Sequence, residues 1–230
     1  MTTAPPLRLL VVGYGRMGRL VEALAGEYAM EVSGRVDIDN ADQPESWPAA
    51  DVAIDFSTAS AVVENARRLA ARGTDLVIGT TGWQAHETAL KQAVAAHSVG
   101  VIAAPNFALG VNIFLALASR AAELMAQRPE FGAWIHEAHH RAKLDAPSGT
   151  ALAIRDAMVR AGYDAAIDVA STRVGSMPGT HTVGFDSAAD TITLTHTTRD
   201  RSVFARGALE AARWVHGRRG WFTMKDVLGL

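Results

Sequence analysis

Apolar positions in the first half of the chain come in short solid runs separated by segments of helical period. Leu7-Arg8-Leu9-Leu10-Val11-Val12 is one such run, the kind that forms a parallel strand buried on both faces. Met17 to Tyr28 follows with helical spacing, Glu31 to Val36 predicts a second strand and Asp51 to Phe56 a third. Ser57 or Thr58 is placed to cap a helix running to Arg72, where Gly73 stops it. Asp75 to Ile78, Gln84 to His97 and Val99 to Ala103 continue as strand, helix, strand. Repeated strand-helix units with short connections predict a doubly wound parallel sheet.

The pattern changes after Asn106. Val111 to Gln127 predicts a long helix, Gly132 to Ala138 a strand entering a polar loop, and Ala151 to Ala161 another helix ended by Gly162. Val169 to Val174, His181 to Phe185 and Thr191 to Thr197 are β-rich with partial alternation, and Asp186 to Asp190 reads as a hairpin turn. Such Thr-, Val-, Ile- and His-rich strands predict a mixed or antiparallel sheet. A last helix spans Ser202 to His216 and stops at Gly217. The expected class is α/β: a doubly wound, Rossmann-type nucleotide domain of residues 1–107 plus 206–230, and an α+β substrate-binding and oligomerisation domain of residues 108–205.

Composition narrows the function. Net charge is -2, without the basic excess of a nucleic-acid binder. There is no cysteine, which excludes disulfides, thiolate catalysis and cysteine metal sites. Leu7 to Gly13 is too short for an export signal and runs into Gly15, Arg16 and Arg19. No run approaches the ~20 apolar residues of a membrane helix. The expectation is a cytoplasmic protein with neither nucleic-acid nor membrane partners.

Gly13-Tyr14-Gly15-Arg16-Met17-Gly18 follows the first strand and opens a helix. The first glycine permits a tight turn, the second lets backbone approach a pyrophosphate, and the third lets helix and strand pack closely. The helix N-terminus offers N–H groups to phosphate. Asp37 follows the second strand, where an acidic side chain hydrogen-bonds ribose hydroxyls, with Asp39 as a near neighbour. Ile38, not a cation, comes next, so NADH is favoured over NADPH; Arg16 and Arg35 are the exceptions to watch. Gly79-Thr80-Thr81-Gly82 and Ala104-Pro105-Asn106-Phe107 fall at the C-terminal ends of the fourth and fifth strands, where such sheets bind ligands. Thr80 and Thr81 offer hydroxyls, Ala104, Pro105 and Asn106 offer amides and carbonyls, and Phe107 offers a ring to wall the nicotinamide.

The densest polar stretch is Glu137-Ala138-His139-His140-Arg141-Ala142-Lys143-Leu144-Asp145-Ala146-Pro147-Ser148-Gly149-Thr150-Ala151. It leaves a strand and enters a helix at Ser148, Gly149 and Thr150, an arrangement of hydroxyls and N–H groups suited to an anion. Lys143 supplies a cation and a histidine a proton carrier near neutral pH. Adjacent histidines on a strand point to opposite faces, so no metal is expected.

These residues resemble the dihydrodipicolinate reductase (4-hydroxy-tetrahydrodipicolinate reductase) family, whose pattern E-x-H-H-x-x-K-x-D-x-P-S-G-T-A stands complete from Glu137 to Ala151. The similarity also covers Gly13 to Arg19, Asp55-Phe56-Ser57, Gly79 to Gly82, Ala104 to Asn112 and Gly179-Thr180-His181. The resemblance implies NAD(P)H-dependent reduction of a small cyclic dicarboxylate in lysine and diaminopimelate biosynthesis, and a homotetramer built through the substrate domains' sheets. By matching positions it implies His139 as the acid-base residue, Lys143 as cation or proton donor, and His140, Ser148, Gly149 and Thr150 as holders of the substrate carboxylates. Three places depart from the family: the segment between Val36 and Asp51 is short, Thr58 and Ile38 stand where some members carry arginines, and Ala108 stands where serine is common. The alternatives are a related amino-acid or diaminopimelate dehydrogenase, and a non-catalytic NADH-binding redox sensor.

Overall fold

The structure, a computed structural model, describes residues 5–230. They fall into two units, 5–109 with 202–230, and 110–201.

The first unit is a six-stranded sheet. Its strands are β1 (Leu7–Val12), β2 (Met30–Val36), β3 (Val52–Asp55), β4 (Asp75–Ile78), β5 (Gly100–Ala103) and, late in the chain, β10 (Gly220–Phe222). Their order is β10-β5-β4-β3-β1-β2 and every pairing is parallel. Side chains alternate between the faces of a strand, and here the alternation sorts the apolar runs into two cores. Leu9 and Val11 of β1, with Ile54, Val77 and Ile102, pack under α1 (Arg16–Ala25) and α6 (Ser202–Val215). Leu10 and Val12, with Ala53, Leu76, Ile78 and Val101, pack under α2 (Val62–Ala71) and α3 (Glu87–Ala95). Each such side chain contributes roughly 1.5–3 kcal/mol when fully buried.

Helix α2 starts later than the sequence predicts. The Ser57 hydroxyl donates to Asp55 (2.6 Å), Thr58 pairs with Ser60, and the cap position falls on Ala61, without a side-chain cap. The strand β10 and the closing helix α7 (Met224–Leu228) are additions to the expected elements.

The second unit has a four-stranded mixed sheet in the order β7-β6-β8-β9. β6 (Gly132–His139) runs parallel to β7 (Ile167–Arg173) and antiparallel to β8 (Thr180–Asp186), which forms a hairpin with β9 (Thr191–Thr197). Phe114, Ala118 and Ala122 of α4 (Leu109–Met125) and Ala151, Ile154 and Met158 of α5 (Gly149–Arg160) cover one face, against Ala133, Ile135, Val183 and Phe185. Among the described residues, no helix is long and apolar enough to cross a membrane.

Candidate active site

In the first unit the glycine motif makes the β1–α1 turn. Gly13 has φ +84°, and an added Cβ would fall 2.5 Å from the Phe56 carbonyl oxygen. A Cβ on Gly18 would collide with the Gly13 carbonyl, whereas Gly15 faces open space. The turn is therefore closed on its strand side and open where a phosphate would approach the first N–H groups of α1. A cleft of about 280 Å³ beside it is lined by Gly13, Gly15, Asp37, Ile38, Ser57 and Thr58 among others. Asn40 shapes its acidic rim, accepting from the Asp37 N–H (2.8 Å) and donating to the Arg35 carbonyl (3.0 Å). Asp37 is exposed at this rim; Asp39 is exposed but not part of the lining. Arg16 is exposed at the first position of α1, and Met17 packs against the core. Arg35 is already paired with Glu22 and lies over the Tyr14 ring, 5.1 Å from its centroid.

The loops after β4 and β5 differ from one another. Phe56 packs against Gly79. The buried Thr80 hydroxyl donates to Asp55 (3.1 Å), while Thr81 is exposed. Burial pushes the Asp55 carboxyl up, against hydrogen bonds from Ser57, Asn65 and Thr80 that favour its charged form. Nothing in the periodicity singles out Asp55, yet its carboxylate ties the turn after β3, through Ser57, to the loop after β4, through Thr80. Pro105 is exposed, Ala104 half-buried, and the Asn106 amide oxygen accepts from the Ala108 N–H (2.9 Å). Phe107 corrects an expectation: its ring is 2% exposed, in the core and edge-on to Phe56. The apolar ring packs inward instead of forming an open wall.

In the second unit the core stripe of β6, Ala133 and Ile135, continues as Glu137 and His139 because all four share one face. Glu137 is completely buried. Its Oε1 accepts from Arg173 Nη2 (2.7 Å) and the Ser148 N–H (3.2 Å); its Oε2 accepts from Arg173 Nη1 (2.9 Å) and meets His139 Nδ1. Burial alone would raise the Glu137 pKa. The hydrogen bonds from Arg173, Ser171 and His139 prevail and hold it at about 2. Strand register makes the cluster: His139 lies beside Arg173 of parallel β7, and Glu137 opposite His181 of antiparallel β8. His181 packs edge-on against His139, 5.1 Å between centroids, and its Nε2 is 3.1 Å from Ser148 Oγ. Burial, then the neighbouring His139, lowers the His181 pKa to about 4, so its ring is neutral near pH 7.

The loop from His140 to Pro147 is stapled by Arg173, which also donates to the carbonyls of Lys143 (3.2 Å) and Asp145 (2.5 Å). His140 is half-buried just beyond β6, and its carbonyl accepts from the Lys143 N–H (3.0 Å). Lys143 Nζ donates to both oxygens of Asp145 at 2.8 and 2.9 Å. Lys143 first, and the Gly149 N–H after it, hold the Asp145 carboxyl below its ordinary range. Ser148 is buried, and its hydroxyl accepts from the Ala151 N–H (3.1 Å) as the cap of α5. It therefore fixes the start of the helix, whose first turn presents the exposed Gly149 and half-buried Thr150. Glu137, His139 and His181 bring one ligand atom each within 4.8 Å of one another. Both Glu137 oxygens already face Arg173, whose cation takes the compensating role a metal ion would have.

The sequence pattern brought His139, Lys143 and the α5 N-terminus to notice. It assigned no role to Arg173, His181 or the Glu137 carboxylate. The available signal was an acidic residue two positions before a histidine on an otherwise apolar strand face, which demands a buried cation.

Two family models match the chain: dihydrodipicolinate reductase, N-terminus, over residues 7–107, and dihydrodipicolinate reductase, C-terminus, over residues 110–228. The chain is 40% identical to the 4-hydroxy-tetrahydrodipicolinate reductase of Acidiphilium cryptum, over 97% of this chain and 98% of that one. It is 34% identical to the enzyme of that name from Christiangramia forsetii, over 96% and 98%. A solved structure of dipicolinate-bound dihydrodipicolinate reductase from Paenisporosarcina sp. TG-14 has the same fold, with a TM-score of 0.80 at 23% identity over 95% of this chain and 97% of that chain. With both halves matched in order and nearly end to end, the chain belongs to the dihydrodipicolinate reductase family.

Proposed function

We propose that the chain reduces 4-hydroxy-tetrahydrodipicolinate, via dihydrodipicolinate, to tetrahydrodipicolinate with NAD(P)H, a step of lysine and diaminopimelate biosynthesis. The observation that carries this reading is the bend from β6 to α5, which gathers an imidazole, an ammonium and a helix N-terminus within one short stretch of chain. A dianionic ring suits such a set. Gly149 and Thr150 at the α5 N-terminus hold a carboxylate, His140 and Lys143 add polar and cationic contacts, and Ser148 keeps the helix start rigid. Lys143 offsets negative charge, and His139 moves a proton at Nε2. Residues 110–201 would bind substrate, and residues up to 109 with 202–230 would bind the nucleotide.

A reduced nicotinamide supplies the hydride when bound. The closed Gly13 and Gly18 and the open Gly15 fit its pyrophosphate, and Asp37 fits a ribose diol. NADH is favoured over NADPH because Asp37 and Ile38 line the cleft and Arg35 is engaged by Glu22. Thr81, Ala104, Pro105 and Asn106 complete the nicotinamide side of the reading. Association as a cytoplasmic homotetramer through the second sheet belongs to the same proposal. Its support is the open face where Thr182 and Thr195 pair (3.0 Å) and Trp134 lies over Gly184.

The test is NADH and NADPH oxidation by purified protein with freshly generated substrate. His139→Ala and Lys143→Ala are each expected to lower kcat by ~10²–10⁴-fold. Wild-type turnover no faster than that of the double variant would overturn the assignment.

A further inference from the structure

The buried Glu137 carboxylate is surrounded by donors. Arg173 offers two N–H groups and Ser148 one, at 2.9, 2.7 and 3.2 Å. A carboxylate in that setting is an acceptor only. The remaining contact, from Oε2 to His139 Nδ1, is therefore a hydrogen bond in which the imidazole donates. This fixes the proton on Nδ1 and leaves Nε2 as the nitrogen that exchanges protons. Space is kept beside Nε2: a Cβ on Gly179 would lie 3.1 Å from it. The ring is also braced edge-on by His181, which Ser148 holds in turn.

We infer that Glu137 is a positioning residue of the reductase site: fixed by Arg173 and the Ser148 amide, it sets the tautomer and orientation of His139 so that Nε2 faces the reacting group. Glu137 touches neither substrate nor cofactor and acts through His139. The inference rests on the proposed function for what His139 does, and on geometry alone for how His139 is held. The hydrogen bonds from Arg173 hold the Glu137 carboxyl well below its ordinary range, so it remains an acceptor near neutral pH.

The test reads the imidazole directly. Long-range ¹H–¹⁵N correlation on ¹⁵N-histidine-labelled wild-type protein, at a pH where the ring is neutral, reports which nitrogen of His139 carries the proton; His139→Gln identifies the signal. The Nδ1–H form is expected. A ring protonated on Nε2 alone would overturn the inference whatever the activity. Glu137→Gln should lower kcat on the order of 10²-fold while KM stays within about 3-fold, and should shift the His139 nitrogens away from the wild-type pattern. Glu137→Asp, which keeps the acceptor, should recover part of kcat and of that pattern. Unchanged kcat and ring shifts in Glu137→Gln would likewise refute the role. If Glu137→Gln does not fold, the wild-type spectrum still decides. Wild-type protein that shows the Nδ1–H ring but no reductase activity would sink the functional reading and leave the positioning geometry standing.

Discussion

Asp145 sets its two carboxylate oxygens 2.8 and 2.9 Å from the ammonium of Lys143, and that pairing holds its carboxyl below the ordinary range. The cation expected to receive a substrate carboxylate thus already holds an anion of the chain's own. A dicarboxylate arriving there competes with Asp145. Asp145→Asn should tighten binding of pyridine-2,6-dicarboxylate by about 2- to 5-fold, in keeping with the modest worth of an exposed ion pair. Isothermal titration checks this, and weaker binding would show that Asp145 supports the ligand instead of competing with it.

Arg173 compensates a carboxylate with no solvent access, whereas Arg8 pairs with the more exposed Asp51 (2.6 Å). Removing one partner of a buried pair leaves a charge stranded, while losing a surface pair costs little. Arg173→Met should therefore lower the urea midpoint far more than Arg8→Met. The double variant Glu137→Leu/Arg173→Met should recover much of the loss. Equal midpoints for the two single variants would contradict this account.

Acid should weaken the second unit in two stages. His181 has its folded pKa lowered to about 4 from 6.5, so the unfolded chain takes up a proton first and stability falls between those values. Glu137, held at about 2 against 4.5, adds a further loss as pH falls from 4.5 toward 2. Both contributions are intact at neutral pH. Each group contributes a slope of up to about 1.4 kcal/mol per pH unit inside its window. Denaturant midpoints measured from pH 7 to pH 4 should show the first stage, and His181→Gln should flatten it.

Asp37 stands at the rim of the nucleotide cleft, next to the apolar Ile38. A phosphate on the adenosine ribose would bring like charges close together. Asp37→Ser should shift the kcat/KM ratio toward NADPH by on the order of 10-fold, the size of effect expected of two charges a few ångströms apart near a surface. An unchanged ratio would place cofactor choice elsewhere.

The sequence made the first unit largely legible because its strands are buried on both faces. A run such as Leu9-Leu10-Val11-Val12 has little alternative to a central parallel strand. What escaped was short or non-local. β10 is three residues long and is held as a strand by its pairing with Gly100, Val101 and Ile102. The start of α2 was misplaced because Ser57 answers to Asp55 across the turn instead of to its own helix. The candidate site shows the same division. His139, Lys143 and Ser148 lie in one contiguous stretch of sequence and are visible together. Arg173 and His181 come from the two strands flanking β6, and only the register that pairs His139 with Arg173 and Glu137 with His181 reveals them. Phe107 was misjudged because a loop position says nothing of which way a large ring turns, and an apolar ring gains most by turning inward.

The absence of a side chain at Gly207 has a consequence for biosynthesis. Helix α6 lies so close to the loop after β5 that a Cβ there would strike the Phe107 carbonyl, and its alanines complete the core under Leu9, Ile54 and Ile102. As the chain emerges from a ribosome, the five strands made first therefore have one apolar face covered by α1 but not by α6 throughout translation of the intervening 92-residue unit, Gly110–Arg201. The nascent nucleotide-binding half must be shielded or remain unsettled until its last helix arrives, and Gly207→Val would leave that final docking step without a seat.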